Sequence, residues 1–145
     1  MVPNTQVRIL LVQMIQSGSS LNCVDNSGGR RLQCIHVFGA STIKYAGLGG
    51  LLKVVAKDAR KVRSHKRKKT VVAGEKYRAV IVNSRYKSAR RDGSYVQFAS
   101  NAAVIMNENF RLLGKRIRSL VAKEIKQNVY KLRLVKTARY SRGVL

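Results

Sequence analysis

Acidic residues are scarce in this chain, with six Asp and Glu against 30 Lys and Arg. The six are scattered along the sequence, at Asp25, Asp58, Glu75, Asp92, Glu108 and Glu124. Catalysis needs convergent acid, base or nucleophilic groups, and no two of these carboxylates suggest a pair. His36 and His65 also lack a local partner that would indicate a catalytic triad. The sequence therefore predicts a protein that is not an enzyme and has no catalytic residues.

Cysteine is rare as well, with Cys23 and Cys34 as the only two. Two are too few for a disulfide framework, and their spacing lacks the short paired form of a zinc site. Cys34 and His36 could supply two metal ligands, but His36 lies in an alternating apolar run and no second cluster completes a coordination shell. We expect both cysteines to be reduced and buried, and we expect neither a metal nor a cofactor.

Long apolar runs are absent, and none approaches the roughly 20 residues that a membrane-spanning helix requires. The basic residues are spread along the chain instead of being confined to one amphipathic helix, which disfavours binding to an anionic membrane. A length of 145 residues suits one domain with a single core. The sequence therefore predicts a single domain that does not bind membranes.

Positive charge is what the sequence has in excess: the formal net charge is +24 and the pI is about 11.2. A monomer with this charge repels itself, and a polyanionic partner relieves that repulsion. The backbone of a nucleic acid is the commonest such polyanion. The composition therefore predicts a protein that binds nucleic acid.

Two apolar runs flank a basic loop within residues 77–106. Residues 79–82 form a short β-branched run, which is typical of a buried strand. The loop at residues 83–93 closes with an Asp-Gly pair, which suits a turn with positive φ. Residues 94–98 alternate in polarity and residues 102–106 are apolar, so the stretch predicts three strands around one loop. The cations of that loop are Arg85, Lys87, Arg90 and Arg91.

A second basic segment, residues 57–69, follows an apolar run at residues 51–55 that predicts another strand. Like charges at this density repel one another, so we expect a loop that is mobile in the free protein and becomes ordered against phosphate. A solvated loop or a basic localisation cluster is the alternative.

The C-terminal part combines a helical pattern with an alternating one. Four apolar residues share one face at helical spacing, which predicts a short amphipathic helix. They are Ile117, Leu120, Val121 and Ile125. Residues 130–134 then alternate between apolar and basic, which predicts a last strand-like segment.

A turn is predicted at residues 24–28, where Val-Asp-Asn-Ser-Gly ends in a glycine that permits left-handed backbone. Residues 25–29 then have two open interpretations, a plain hairpin turn or a direct contact with RNA. Arg30 and Arg31 follow immediately and favour phosphate.

Several of these patterns resemble the universal ribosomal protein uL14 family of the large subunit. The residues that match its signature are Ala79, Val80, Ile81, Val82, Asp92, Gly93, Phe98, Asn101, Val104 and Ile105. Residues 24–28 resemble the family's early motif, and Gly-Lys-Arg-Ile at residues 114–117 resembles its Gly-Thr-Arg-Ile. Residues 121–125 resemble its Val-Ala-Arg-Glu-Leu segment.

The resemblance begins at Met14 and runs nearly to the end of the chain, so residues 14–145 are expected to form one domain and residues 1–13 an N-terminal extension. It implies a mainly β fold, a small five-stranded closed β-barrel with basic hairpin loops and a short C-terminal helical segment. In such a barrel, Tyr45 either stacks on a base or packs on the barrel edge.

The resemblance also implies a function, that of a structural constituent of the ribosome. Such a protein binds large-subunit rRNA, neighbours protein bL19 and lies at the face that touches the small-subunit rRNA. In bacteria and organelles the same surface receives a ribosome-silencing factor, and here it would include Lys115, Arg116 and Arg118. The positions expected to bind rRNA are Arg30, Arg31, Lys44, Tyr45, Lys53, Arg60, Lys61, Arg63, Lys66, Arg67, Lys68, Lys69, Arg85, Lys87, Arg90 and Arg91.

Two other functions stay open. A free-standing RNA- or DNA-binding barrel of the cold-shock type would use aromatic residues on an open sheet face, which three Phe, six Tyr and no Trp disfavour. An interaction module without nucleic acid is the other.

The Asp-Asn-Ser-Gly motif is closer to bacterial and organellar members of the family. The charge, the extension and the single proline favour the mitochondrial matrix, with the bacterial cytoplasm or a plastid as alternatives.

Overall fold

The computed structural model describes residues 15–39, 45–60, 71–127 and 142–145. Its elements, in chain order, are β1 (Ile15–Gln16), β2 (Ser20–Cys23), β3 (Gly29–Val37), β4 (Tyr45–Ala46), β5 (Leu51–Ala59), β6 (Lys76–Asn83), β7 (Ser88–Ala89), β8 (Tyr95–Val96), β9 (Ala102–Met106) and the 3-10 helix η1 (Lys123–Gln127). No helix in these ranges is long and apolar enough to cross a membrane. The predicted mainly β fold is confirmed.

Five strands form a closed barrel in the order β2-β3-β5-β6-β9. Neighbouring strands are antiparallel except at the closure, where β2 runs parallel to β9 through the pairs Asn22↔Ala102 and Cys23↔Ala103. Three register shifts along the β3–β5 pair bend the long strands, as a small barrel requires. The closed five-stranded barrel expected from the family resemblance is therefore confirmed.

Strands β6 and β9 are buried on both faces, because successive side chains of a strand point to opposite sides. Ala79 and Ile81 point into the barrel, where they join buried side chains from all five strands. Val80 and Val82 point outward and belong to a second apolar cluster. The C-terminal segment covers this outer face with Ile117, Val121 and Ile125. This second layer explains why residues 79–82 and 102–106 are apolar at every position.

Strand β5 extends further than the charge pattern indicated. Residues 57–59, predicted to begin a mobile loop, form its last three positions and pair with β3 through Gly29↔Ala59 and Arg31↔Asp58. Backbone hydrogen bonding to β3 therefore outweighs the local repulsion of cations. Residues 61–70 lie outside the described residues, so the prediction for the rest of the loop stays a prediction.

The prediction of an amphipathic helix around residues 117–125 was wrong about the conformation and partly right about which side chains are buried. Ile117, Val121 and Ile125 are buried, but Leu120 is 47% exposed, and within residues 117–127 the helical part is confined to η1. The backbone N–H groups of Val121 and Ala122 donate to the carbonyls of Gly143 (3.0 Å) and Val82 (3.3 Å). These donors pair with neighbouring segments, so the helical ladder does not form. The strand predicted at residues 130–134 lies outside the described residues.

Residues 83–101 form a small hairpin between two barrel strands, β6 and β9, that are antiparallel neighbours. Its two strands, β7 and β8, pair through Ser88↔Val96 and Ala89↔Tyr95. The strand predicted over residues 94–98 is thus only two residues long. The predicted turn at Asp92-Gly93 is confirmed, since Gly93 has a φ of 83°.

From the environment of the two cysteines we predict that both thiols react slowly in the folded protein and quickly once it is unfolded. Cys34 is buried and Cys23 is half-buried beside Asp25, and burial raises the pKa of both thiols, with the Asp25 carboxylate adding to the effect at Cys23. Because the thiolate is the nucleophile, both should be protonated and slow to react at pH 8. We expect Ellman's reagent to titrate both thiols quickly in urea and neither quickly in the folded protein. Equal rates in the two conditions would contradict this.

Candidate nucleic-acid interface

The carboxylate of Asp25 is buried and occupied by protein donors. One oxygen accepts hydrogen bonds from the backbone N–H of Ser27 (3.0 Å), from the Ser27 hydroxyl and from the Cys23 thiol (3.1 Å). The other accepts from the backbone N–H of Ile105 in β9 (2.9 Å). Asp25 is only 4% exposed. Of the two interpretations of this motif, the geometry favours a structural turn for Asp25 itself, and we call residues 24–28 the central turn.

Asn26 fastens the 114–118 segment to the central turn. Its side-chain oxygen accepts from the backbone N–H groups of Lys115 (2.8 Å) and Arg116 (3.2 Å), and its own N–H donates to the Arg116 carbonyl (3.2 Å). The N–H of Arg118 donates to the Val24 carbonyl at 2.8 Å. The backbone of the segment is thereby fixed, while the side chains of Lys115, Arg116 and Arg118 are exposed.

The central turn also bonds to Arg60 of the second basic segment and to Val71 just beyond that segment. The N–H of Arg60 donates to the Gly28 carbonyl at 2.8 Å, and the N–H of Val71 donates to the Ser27 carbonyl at 3.1 Å. Arg60 and Val71 are therefore both bonded to the central turn. The predicted positions Lys61, Arg63, Lys66, Arg67, Lys68 and Lys69 lie outside the described residues, as does Lys44.

The central turn thus brings together three basic segments that are distant in sequence. We call their exposed cations the turn-side cations, which are Arg30, Arg31, Arg60, Lys115, Arg116 and Arg118. Within the described part of the chain, Arg31 is the one member with an acidic partner, at 3.9 Å from Asp58 and with both side chains largely exposed. Such an exposed pair contributes little to stability. The remaining members are available to an external anion.

The basic hairpin presents a separate group of cations. Arg85, Lys87 and Arg91 are exposed and form no ion pair within the described residues. Arg90 differs, because its guanidinium donates to the Glu124 carboxylate (2.5 and 3.4 Å) and to the Leu145 carbonyl (2.7 Å). The Glu124 hydrogen bond raises the pKa of Arg90. Arg90 therefore links the hairpin to η1 and to residues 142–145. Its guanidinium is occupied by these bonds, whereas Arg85, Lys87 and Arg91 are open to an external anion.

Two further predicted positions lie on the barrel surface. Lys53 is exposed on β5, between His36 of β3 and Arg78 of β6. Tyr45 is half-buried in the two-stranded sheet of β1 and β4, opposite Gln16. This placement agrees with packing at the barrel edge. Neither position joins the turn-side cations through the pairings described.

One cation–π cluster, formed by Arg78 and two phenylalanines, has no local signal in the sequence. The Arg78 guanidinium lies 4.6 Å from the ring centre of Phe110 and 5.7 Å from that of Phe38, and it donates to the Glu108 carbonyl at 2.7 Å. These contacts join residues 30 to 40 positions apart, so only the barrel topology could have revealed them. Arg78 holds the turn at residues 107–111 against the barrel.

Metal ligands do not converge in the described ranges, where no group of three or more His, Cys, Asp or Glu could hold an ion.

A family model identifies the family of this chain. A family model described as ribosomal protein L14p/L23e matches residues 14–141. The chain belongs to this family. The resemblance read from the sequence is thereby confirmed, and the match begins at Met14, where the sequence comparison also placed it. The ribosomal L14 family is a family of structural ribosomal proteins that are not enzymes, so the chain belongs to the ribosome as one of its structural constituents.

The close contact between Gly114 and the central turn generates a stability prediction for this L14 protein. A Cβ at position 114 would lie 2.8 Å from the side-chain oxygen of Asn26 and 2.9 Å from the Cβ of Asp25. Gly114→Ala should therefore lower the free energy of unfolding by about 1–3 kcal/mol, as overpacking typically does. Urea denaturation measures the change.

Gly143→Ala is the matched control for that substitution. Among the described residues, its Cβ would meet the end of the Leu120 side chain at 3.1 Å, and that side chain is half exposed and can move. We expect a clearly smaller loss. An equal loss in the two variants would show that the fit of Gly114 on the central turn has no special importance.

Proposed function

We propose that this protein binds large-subunit rRNA through the turn-side cations, with the basic hairpin as a second contact. The observation that carries the proposal is the convergence of three basic segments on the central turn, whose Asp25 and Ser27 are buried. Backbone hydrogen bonds hold these segments, so the backbone positions of their cations are set before RNA arrives. Arginines bind phosphate by paired, charge-assisted hydrogen bonds, and a backbone that is already ordered loses less entropy on binding than a mobile one.

The proposal extends to the other basic positions expected from the sequence. Residues 61–69 follow Arg60 in the sequence and would continue the same cationic surface. A neighbouring stretch of the RNA would be contacted by Arg85, Lys87 and Arg91. Another stretch would be contacted by Lys53 and Tyr45. Arg90 contributes indirectly, because it holds the hairpin in place.

We propose further that the 114–118 segment lies at the face between the two ribosomal subunits. In this arrangement Lys115, Arg116 and Arg118 face the small-subunit rRNA, protein bL19 is a neighbour, and a ribosome-silencing factor docks on the same surface. Support comes from the backbone anchoring of the segment to Asn26 and Val24, which leaves the three cationic side chains exposed. Location in the mitochondrial matrix rests on the sequence features alone.

A free-standing barrel of the cold-shock type is not favoured. Such a protein binds single strands on an open aromatic sheet face. Here the outer face of β6 and β9 is covered by Ile117, Val121 and Ile125. The family membership points to the ribosome instead.

Salt dependence tests the rRNA contact as a whole. Binding of lysines and arginines to phosphate releases counterions, so the affinity for large-subunit rRNA should fall steeply with salt. Five to ten contacts correspond to a slope of roughly −4 to −9 in a plot of log affinity against log salt concentration. A filter-binding series from 50 to about 300 mM KCl measures the slope, and a flat plot would exclude phosphate binding as the main interaction.

Charge reversal at Arg116 tests the subunit face. Arg116→Glu places an anion between Lys115 and Arg118, so it should repel an opposing phosphate while the buried apolar clusters stay intact. The variant should still enter large subunits but reduce joining of the two subunits in sucrose-gradient sedimentation.

Lys76→Glu is the control for that variant, because Lys76 is also an exposed cation but lies outside the proposed surfaces. It should sediment as wild type. If Arg116→Glu and Lys76→Glu behave alike, or if Arg116→Glu loses RNA affinity with no selective defect in joining, the placement at the subunit face is wrong.

A further inference from the structure

The basic hairpin exposes two large aromatic side chains. Tyr95 is 68% exposed and Tyr86 is 44% exposed. Every other Phe and Tyr of the described ranges is half-buried: Phe38, Tyr45, Tyr77, Phe98 and Phe110. Within the same ranges, neither hydroxyl of the two exposed tyrosines makes a hydrogen bond. Tyr95 and Tyr86 are therefore more open to a ligand than any other Phe or Tyr in these ranges.

The hairpin holds these rings on a fixed backbone. Tyr95 lies opposite Ala89, and the next residue, Val96, is buried on the other face. Asp92 closes the turn by accepting from the N–H (2.9 Å) and the hydroxyl (2.6 Å) of Ser94, hydrogen bonds that lower the pKa of Asp92.

Both ends of the hairpin are anchored as well. The N–H of Arg85 donates to the Asn101 side chain at 2.8 Å, and Arg90 is bound to Glu124 and Leu145. Binding of a ligand to the rings would therefore cost little entropy for ordering the hairpin backbone.

Exposed cations accompany the rings. Arg85 and Lys87 flank Tyr86, and Arg91 lies in the turn that precedes Tyr95. Cations that bind phosphates together with rings that stack on bases are the combination that binds single-stranded nucleic acid. In a duplex the base faces are already stacked and out of reach, so rings of this kind require unpaired bases.

We propose that Tyr95 and Tyr86 stack on unpaired bases, so that the basic hairpin binds a single-stranded loop or bulge of the rRNA. The inference rests on the proposed rRNA binding and adds the class of RNA that the hairpin takes. Nucleic acid is favoured over a protein as the partner, because the exposed charges adjacent to the rings in sequence are mostly positive, namely Arg85, Lys87 and Arg91, and complement a phosphate backbone.

The experiment compares three RNA probes by fluorescence polarisation at one salt concentration, using the full chain. The probes are a fluorescein-labelled 12-nucleotide single strand, an abasic strand with the same number of phosphates and a 12-base-pair duplex. Tyr95→Leu removes the aromatic ring and keeps an apolar side chain of similar reach. It should weaken binding to the single strand by about five- to fiftyfold and leave binding to the abasic strand and the duplex unchanged.

Three companion variants complete the series. Tyr95→Phe keeps the ring and should bind the single strand as wild type does, and Tyr86→Leu should show a loss of the same kind as Tyr95→Leu. Arg91→Ala should weaken all three probes alike, because it removes a phosphate contact. Quenching of a 2-aminopurine placed in the single strand reports stacking directly, and it should diminish in Tyr95→Leu.

Three outcomes overturn the inference. Tyr95→Leu could leave all affinities unchanged, or weaken the base-bearing and abasic strands equally, which would show that the ring does not stack on bases. It could also keep RNA affinity but lose entry into large subunits, which would identify a protein as the occupant. In each of these cases rRNA binding itself survives if the wild type binds with steep salt dependence. Absence of salt-dependent binding to any probe would overturn both proposals together.

Discussion

The buried carboxylate of Asp25 is the constraint on which the rest of this fold depends. A carboxylate removed from water is costly unless hydrogen bonds replace its hydration. Ser27, Cys23 and the backbone of Ile105 supply those bonds, and because they come from both the turn and strand β9, they fix the turn against the barrel. Once the turn is fixed, Asn26 is positioned for the 114–118 segment, and the carbonyls of Ser27 and Gly28 are positioned for the backbone N–H groups that flank residues 61–70. One buried anion thereby organises the surrounding cations.

The second determinant is the outer cover of β6 and β9. A five-stranded barrel of this size holds few side chains, so a second apolar layer adds burial that the interior alone does not provide. The C-terminal segment supplies that layer in a mostly irregular conformation, with its N–H groups bonded to Val82 and to residues 142–145. The hairpin is coupled to the same layer through Arg90 and Glu124. Barrel, cover and basic hairpin are therefore joined by apolar contacts, backbone hydrogen bonds and one ion pair.

Local patterns in the sequence predicted the features that are themselves local. The β-branched run at residues 79–82, the apolar run at 102–106 and the Asp-Gly turn all have the predicted form, and the family resemblance supplied the closed barrel. The predictions that were wrong involve partners distant in sequence. The helix predicted around Ile117 failed because backbone pairing with Val82 and Gly143 competes with helical hydrogen bonds. The role of Asp25 was left open, and the contact of Arg90 was missed, for the same reason: Ile105 and Glu124 are 80 and 34 residues away.

The distribution of the few acids explains how a chain with a net charge of +24 folds at all. Asp25 and Asp92 close turns, Glu75 accepts from the hydroxyl of Tyr77, and Glu124 binds Arg90. These carboxylates are used for shape, so they do not neutralise the outward-facing cations of the central turn and the hairpin. The repulsion among those cations is tolerable because exposed charges are screened over about 10 Å at 0.1 M salt, whereas salt does not screen the short-range backbone hydrogen bonds that hold the segments. The proposed binding of phosphate would relieve the remaining repulsion. Apart from the exposed Arg31–Asp58 pair, the charges that hold the fold and those proposed to bind RNA are then different ones.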